Sequence, residues 1–168
     1  MTGILGAVLI GGRSSRFGSD KAQAMFGGRS LADHAAAALR PFVQEVVMIG
    51  GDAVPDLPRA GLGPLGGIAA ALDHGASRGF RCVLTIGCDM PRVPDAVFET
   101  LLHRAPAYCS DAPVLGLWPS ALGAQLLSYL EVGDDRSVRG WARAVGAIPI
   151  ASGVAIPNVN TRDDLMAL

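Results

Sequence analysis

Apolar residues fall in short, mostly unbroken runs, separated by loops rich in glycine, proline and serine. The first run, Ile4-Leu5-Gly6-Ala7-Val8-Leu9-Ile10, is continuous rather than alternating, which predicts a strand buried on both faces. A loop dense in Gly, Ser and Arg follows, over residues 11–28. Ser30 then stands as an N-cap with Asp33 as the short partner of a capping box, predicting a helix through Ala35 and Leu39 that stops at Pro41. Glu45-Val46-Val47-Met48-Ile49 predicts a second strand, closed by Gly50-Gly51. After a Pro/Gly-rich loop at 52–64, the pattern predicts a helix from Gly66 to Leu72 and a strand from Arg81 to Ile86 that ends at Gly87-Cys88-Asp89. Pro94 and Asp95 suit the first turn of a helix that runs to Leu102. Further on, a strand is expected over Ala112–Trp118, helices over Ala121–Leu130 and Ser137–Val145, and a weaker strand over Ala147–Ile150. Thr161 with Asp164 predicts the cap of a last helix.

Strands alternate with helices from Ile4 to Leu102, so a mostly parallel sheet is expected with helices on both faces. That is a Rossmann-like three-layer α/β/α architecture. With no repeat, low-complexity tract or linker, residues 1–168 read as one domain. Ligands of such sheets bind beyond the carboxyl ends of the strands. The loops 11–21 and 87–91 are therefore the first places to look for chemistry.

Composition narrows the function classes. Half of the residues are hydrophobic and 17% are charged, which is not the make-up of a disordered chain. A net charge of −1 provides no basic excess for nucleic acid or for an acidic membrane surface. The run Ile4–Ile10 is far too short to span a membrane. Cys82, Cys88 and Cys109 are odd in number and form no C-x-x-C, so small buried thiols in a reduced, cytoplasmic setting are expected. His34, His74 and His103 are scattered without metal-ligand spacing.

The loop after the first strand reads Gly11-Gly12-Arg13-Ser14-Ser15-Arg16-Phe17-Gly18-Ser19-Asp20-Lys21. Consecutive glycines let backbone N–H groups approach a ligand, and Arg13, Arg16 and Lys21 add fixed cations. A triphosphate needs both. The loop is neither a Walker A motif nor G-x-G-x-x-G. From glycines and arginines alone, a surface turn with solvated arginines is an equal reading.

The wider segment Val8–Lys21 resembles the signature of the nucleotidyltransferases related to molybdenum cofactor guanylyltransferase: Leu-Ala-Gly-Gly, three variable residues, Arg-Met-Gly, one variable residue, Asp-Lys. Ile10 stands where that pattern has Ala, and Phe17 where it has Met. Three further segments match in order. Gly63-Pro64-Leu65-Gly66-Gly67 resembles Gly-Pro-Leu-x-Gly, and Cys88-Asp89-Met90-Pro91 resembles Cys-Asp-x-Pro. Asn158-Val159-Asn160-Thr161-Arg162-Asp163-Asp164-Leu165 resembles the closing Asn-x-Asn-Thr-Pro-Glu-Asp-Leu.

The resemblance implies the nucleotide-diphospho-sugar transferase type of fold. It also implies transfer of GMP from GTP to molybdopterin or its molybdate-bearing form, with Mg²⁺ as cofactor and pyrophosphate as product. Residue by residue, it implies catalytic roles for Lys21, Arg16 and Asp89, with Asp89 holding the metal. Leu9, Ile10, Gly11, Gly12, Asp56, Gly63, Pro64 and Leu65 would contact the nucleotide, together with Lys21 and Asp89. Asn158 and Asn160 would face the acceptor, with Arg136 as a further cation there. Each has a plainer reading: Asp89 as a turn residue, Asn158 and Asn160 as a turn and cap region, Arg136 as part of a solvated helix face. The family's His-Pro step and longer acceptor-side insert are replaced here by Ala112-Pro113 in a shortened stretch. Two alternatives therefore stand beside guanylyl transfer. One is a sibling transferase using CTP or another phosphorylated acceptor. The other is a non-catalytic GTP-binding module that meets the proteins maturing molybdoenzymes.

Overall fold

The computed structural model describes residues 3–11 and 20–168. Strand β1 (Ile4–Leu9) lies inside a six-stranded sheet between β4 (Glu45–Ile49) and β5 (Cys82–Gly87), parallel to both. Outside β5 come β7 (Gly116–Pro119), β6 (Ala107–Cys109) and β8 (Ile148–Ile150). β7 runs antiparallel to both of its neighbours, and β8 pairs parallel with β6. Every other strand therefore points the same way as β1, and the mostly parallel sheet expected from the sequence is present.

Side-chain alternation along the strands builds two cores. Leu5, Ala7 and Leu9 of β1, Val83 of β5 and Trp118 of β7 face one side. There they meet α2 (Pro64–Ser77), α4 (Gly123–Val132) and α5 (Val138–Ala144) through Ile68, Leu72, Leu126 and Trp141. Val8, Leu84, Ile86 and Leu117 face the other side. They pack against α1 (Leu31–Leu39) and α3 (Asp95–Leu102) through Ala35, Leu39, Phe98 and Leu101. A strand buried on both faces needs apolar residues at every position, which is why β1 and β5 read as unbroken runs. Thr85 is the buried exception. Its hydroxyl donates to the Val114 carbonyl at 2.6 Å and accepts from Trp118 Nε1 at 3.1 Å, so the polar group is not left unpaired.

Several boundaries differ from the sequence reading. The strand expected over Ala112–Trp118 is confined to Gly116–Pro119, and a strand at Ala107–Cys109 was not foreseen. Pro113 has no N–H for a ladder. The chain turns instead, with Ala112 N on Cys109 O and Leu115 N on Ala112 O. Helix α2 begins at Pro64, whose fixed φ suits a first helical position, and runs to Ser77 rather than Leu72. The stretch read as one loop to residue 28 contains a short hairpin. β2 (Met25–Phe26) and β3 (Arg29–Ser30) are joined by Gly27 and Gly28 at φ +55° and +80°, the pair of positive angles a tight hairpin turn requires. Ser30 caps α1 by accepting from Asp33 N, but the Asp33 carboxylate takes the Ser30 hydroxyl rather than its backbone N–H, so the expected box is half formed there. The full box forms at Thr161, opening α6 (Arg162–Met166).

The connection from β1 through α1 leads to β4 on one side. The connection through α2 leads to β5 on the other. The strand order thus reverses at β1, and the carboxyl ends of β1, β4 and β5 open onto one crevice.

Candidate functional site

Three loops meet at that crevice. Cys88 N bonds to Leu9 O at 3.1 Å, and Ile10 N to Ile49 O at 2.8 Å, so the chain leaving β1 is tied on both sides. Past the strand end, Asp20 caps a short 3₁₀ turn at Lys21–Gln23 by accepting from Ala22 N at 3.0 Å. Ala22 is buried against the α1 face, which fixes the root of the Lys21 side chain.

Lys21 Nζ lies 3.4 Å from Asp89 Oδ2 and 3.1 Å from Asn160 Oδ1. Residues far apart in the sequence thus converge on one ammonium at the carboxyl end of the sheet. The two charged side chains retain 16% and 27% of their exposure, open enough to reach a ligand and shielded enough for their charges to act at short range. The closing segment is fastened to the same place. Val159 is fully buried and packs against Leu31, and its N–H donates to Asp89 O at 2.8 Å.

Asp56 occupies the other flank, towards β4 and α2. Its Oδ1 is buried and has no hydrogen-bond partner among the described residues. It lies close to four glycines: side chains added at Gly11, Gly50, Gly66 or Gly67 would come into contact with it. Burial pushes its carboxyl above the usual carboxylate range. A carboxyl raised in the folded state holds its proton better folded than unfolded. That contribution favours the fold at acid pH and is lost as pH rises through the raised value. Asp56→Asn is therefore expected to raise the melting temperature of the ligand-free chain at neutral pH, with the gain shrinking as pH falls towards the ordinary carboxylate range. A pH-independent difference in melting would show that the carboxylate is not strained.

Among the other positions singled out from sequence, Leu9 ends β1, Gly63 is the N-cap of α2, and Pro64 begins it. The Leu65 side chain is fully buried in the core, so only its backbone is placed to meet a ligand. Asn158 is exposed beside buried Val159. Arg136 is exposed and makes no hydrogen bond or ion pair with another described residue, whereas Arg139 Nη2 donates to Ser110 O at 2.8 Å. Gly12 and Arg16, with Arg13, lie outside the described residues. Sequence reasoning missed the packing of Gly50 against Gly11 and the reach of Asp164 beyond its helix cap. The Gly50-Gly51 pair closing the second strand was the available signal for the first.

The three thiols are free and buried. Burial, with the Asp89 carboxylate adding to it, pushes the Cys88 thiol up to about 12. Its thiolate is scarce at neutral pH despite its place beside the crevice. The native chain should not react with an aromatic disulfide reagent over minutes at pH 7.5, and all three cysteines should react in denaturant. Rapid modification of Cys88 in the native chain would contradict this burial.

The model of the MobA-like NTP transferase domain matches residues 6–145. The chain belongs to this family. A molybdenum cofactor guanylyltransferase of Rhizobium leguminosarum bv. trifolii (strain WSM2304) is 34% identical over 187 residues, covering 96% of this chain and 90% of the relative. The solved molybdopterin-guanine dinucleotide biosynthesis protein A from Archaeoglobus fulgidus superposes with a TM-score of 0.74 at 23% identity, over 97% of this chain and 95% of that one. A Mycobacterium tuberculosis H37Rv protein, solved in complex with manganese, superposes with a TM-score of 0.61 at 16% identity, over 99% and 97% of the two chains. The family is one of nucleotidyltransferases, and the chain is read as an enzyme of that class. Among the described residues no helix is long and apolar enough to cross a membrane.

Proposed function

We propose that this chain transfers a guanylyl group from GTP to molybdopterin or its molybdate-bearing form, giving a guanine dinucleotide cofactor and pyrophosphate. The observation that carries the reading is Lys21 Nζ held between Asp89 and Asn160 at the crevice. The relative that is 34% identical and named for this activity supports it. The terminal phosphate of the pterin attacks the α-phosphorus of GTP. A phosphorus–oxygen bond forms there, and the bond to the β-phosphate oxygen breaks in line, the pyrophosphate leaving with the electron pair. The nucleophile is already anionic, so no strong protein base is needed. The protein's share is positioning and charge neutralisation.

Lys21 neutralises phosphate charge, and Arg16 is assigned to the leaving pyrophosphate. The backbone of Leu9, Ile10 and Gly11 is assigned to the nucleotide, as is Gly12 by its place in the sequence, with Asp56 and the Gly63-Pro64-Leu65 segment assigned to the base and ribose side. Asn158 lies on the acceptor side with Asn160, and Arg136 is assigned there as a further cation. One carboxylate and one amide oxygen, Asp89 and Asn160, fit a hard divalent ion that completes its shell with phosphate oxygens, and we assign them to Mg²⁺. Such an ion, when bound, withdraws charge from the phosphate oxygens.

The test is thermal stabilisation by GTP, CTP and ATP, each with Mg²⁺, followed by pyrophosphate release with molybdopterin present. At a hundred times its dissociation constant, a ligand adds about 2.7 kcal/mol of apparent stability. GTP is expected to give the largest shift and to support release. A larger shift with CTP would move the reading to a cytidylyl transferase. Tight GTP binding without release would favour a non-catalytic module that contacts molybdoenzyme-maturation proteins.

A further inference from the structure

The cap of α6 contains one bond more than a cap needs. Thr161 Oγ1 accepts from Asp164 N at 3.1 Å, and Asp164 Oδ2 accepts from Thr161 N at 2.8 Å, which completes the reciprocal box. The same Oδ2 also accepts from Asn160 N at 2.8 Å, one residue before the N-cap. We propose that Asp164 is a positioning residue for the transfer site: by gripping the Asn160 backbone, it holds the Asn160 side chain against the Lys21 ammonium. This rests on the reading of Lys21 and Asp89 as the groups that meet phosphate and metal.

The geometry forms a continuous chain. Asp164 holds Asn160 N, and Asn160 Oδ1 accepts from Lys21 Nζ at 3.1 Å. Lys21 Nζ in turn sits 3.4 Å from Asp89 Oδ2. Next door, Val159 N on Asp89 O and the buried Val159 side chain set the height of the segment. Asp164 sets its rotation, because a bond to the Asn160 N–H fixes the peptide plane from which the side chain departs. The N–H groups of Asn160 and Thr161, with help from the Lys21 charge, hold the Asp164 carboxyl below the usual range, as expected of a carboxylate used as an acceptor. A lysine has a flexible stem and is placed only by its acceptors. Without Asn160 in register, the ammonium keeps a single, longer contact to Asp89. Misplacement of a charged group by about 1 Å is enough to slow a positioned reaction strongly.

A double-mutant cycle tests this on the full chain. Transfer from GTP to molybdopterin with Mg²⁺, and Mg²⁺–GTP affinity by calorimetry, are measured for the wild type, Asp164→Ala, Asn160→Ala and the double variant. Asp164→Ala is expected to lower turnover about tenfold in the wild-type background and less than about twofold when Asn160 is already Ala. Equal losses in both backgrounds, or no loss in either, would overturn the proposal. Thr161→Ala is the stability control. It removes the bond to Asp164 N but keeps both N–H donors to the carboxylate, so it should lower the melting temperature and retain transfer. If Thr161→Ala slows transfer as much as Asp164→Ala does, the effect is destabilisation and the positioning role fails. Should Asp164→Ala not fold, Asp164→Glu carries the same cycle, since glutamate still caps a helix from that position while its longer arm moves the acceptor. A wild-type chain that binds GTP but transfers nothing would defeat the guanylyl-transfer reading. The Asp164–Asn160 coupling would then be read from affinity alone.

Discussion

Asp89→Ala is expected to reduce guanylyl transfer by at least about a hundredfold while leaving the fold intact. The side chain does two things at the crevice. Its Oδ2 sits 3.4 Å from the Lys21 ammonium, which also meets the Asn160 amide oxygen, and it is the carboxylate assigned to the divalent ion under the proposed function. Alanine removes both at once. The backbone of the same residue bonds to Val159 N, and that bond survives the substitution. The pair with Lys21 is partly exposed, so its loss should change stability by less than about 1 kcal/mol. Turnover and thermal melting measured together separate the two effects. Wild-type turnover in Asp89→Ala would remove this carboxylate from the chemistry, and a collapse in melting temperature would make it a structural residue.

The second large effect is expected from Gly50→Ala, at a position that has no side chain of its own to do chemistry. Gly50 closes β4 at φ +106°, a backbone region that side chains rarely enter. A Cβ built there lies 2.6 Å from the Gly11 nitrogen and 2.7 Å from its Cα, so backbone must move. The strain alone is of the order of 1–3 kcal/mol, and displacement of Gly11 adds to it. Gly11 also begins the loop assigned to the phosphates, so GTP affinity should fall along with stability. Gly27→Ala is the contrasting case. Its φ is +55°, but nothing lies within 4 Å of an added Cβ, so only the strain term of about 1 kcal/mol applies. Urea unfolding and calorimetry on both variants give the comparison. Equal costs at the two positions would mean that the approach of Gly50 to Gly11 is not as tight as described.

The strands that carry the crevice were legible because burial on both faces leaves no room for polar residues. β1 and β5 announce themselves as apolar runs, and the residues after them, Gly11 and Asp89, fall at their carboxyl ends. The caps at Ser30 and Thr161 were equally legible, since capping is local chemistry written in adjacent residues. Less could be read where pairing decides the structure. Ala107–Cys109 is too short for any periodicity and becomes a strand only because β7 and β8 flank it. The run Ala112–Trp118 has the hydrophobicity of a strand throughout, yet Pro113 forces a turn in its first half. At the site, the Lys21–Asp89 meeting followed from the parallel sheet. The packing of Asp56 among Gly11, Gly50, Gly66 and Gly67, and the second bond of Asp164, did not. Both depend on side chains reaching across loops, and no local pattern encodes such distances.

The reversed strand β7 has a wider consequence. On one side of it lie β4, β1 and β5, whose loops carry the residues assigned to the triphosphate under the proposed function, and on the other lie β6 and β8, the latter leading along the chain to the Asn158 segment. Sequence drift in the outer pair can reshape what the protein accepts while the inner trio keeps its grip on the donor. A scaffold partitioned along such a seam lets selection retune one partner of a two-substrate reaction without rebuilding the other.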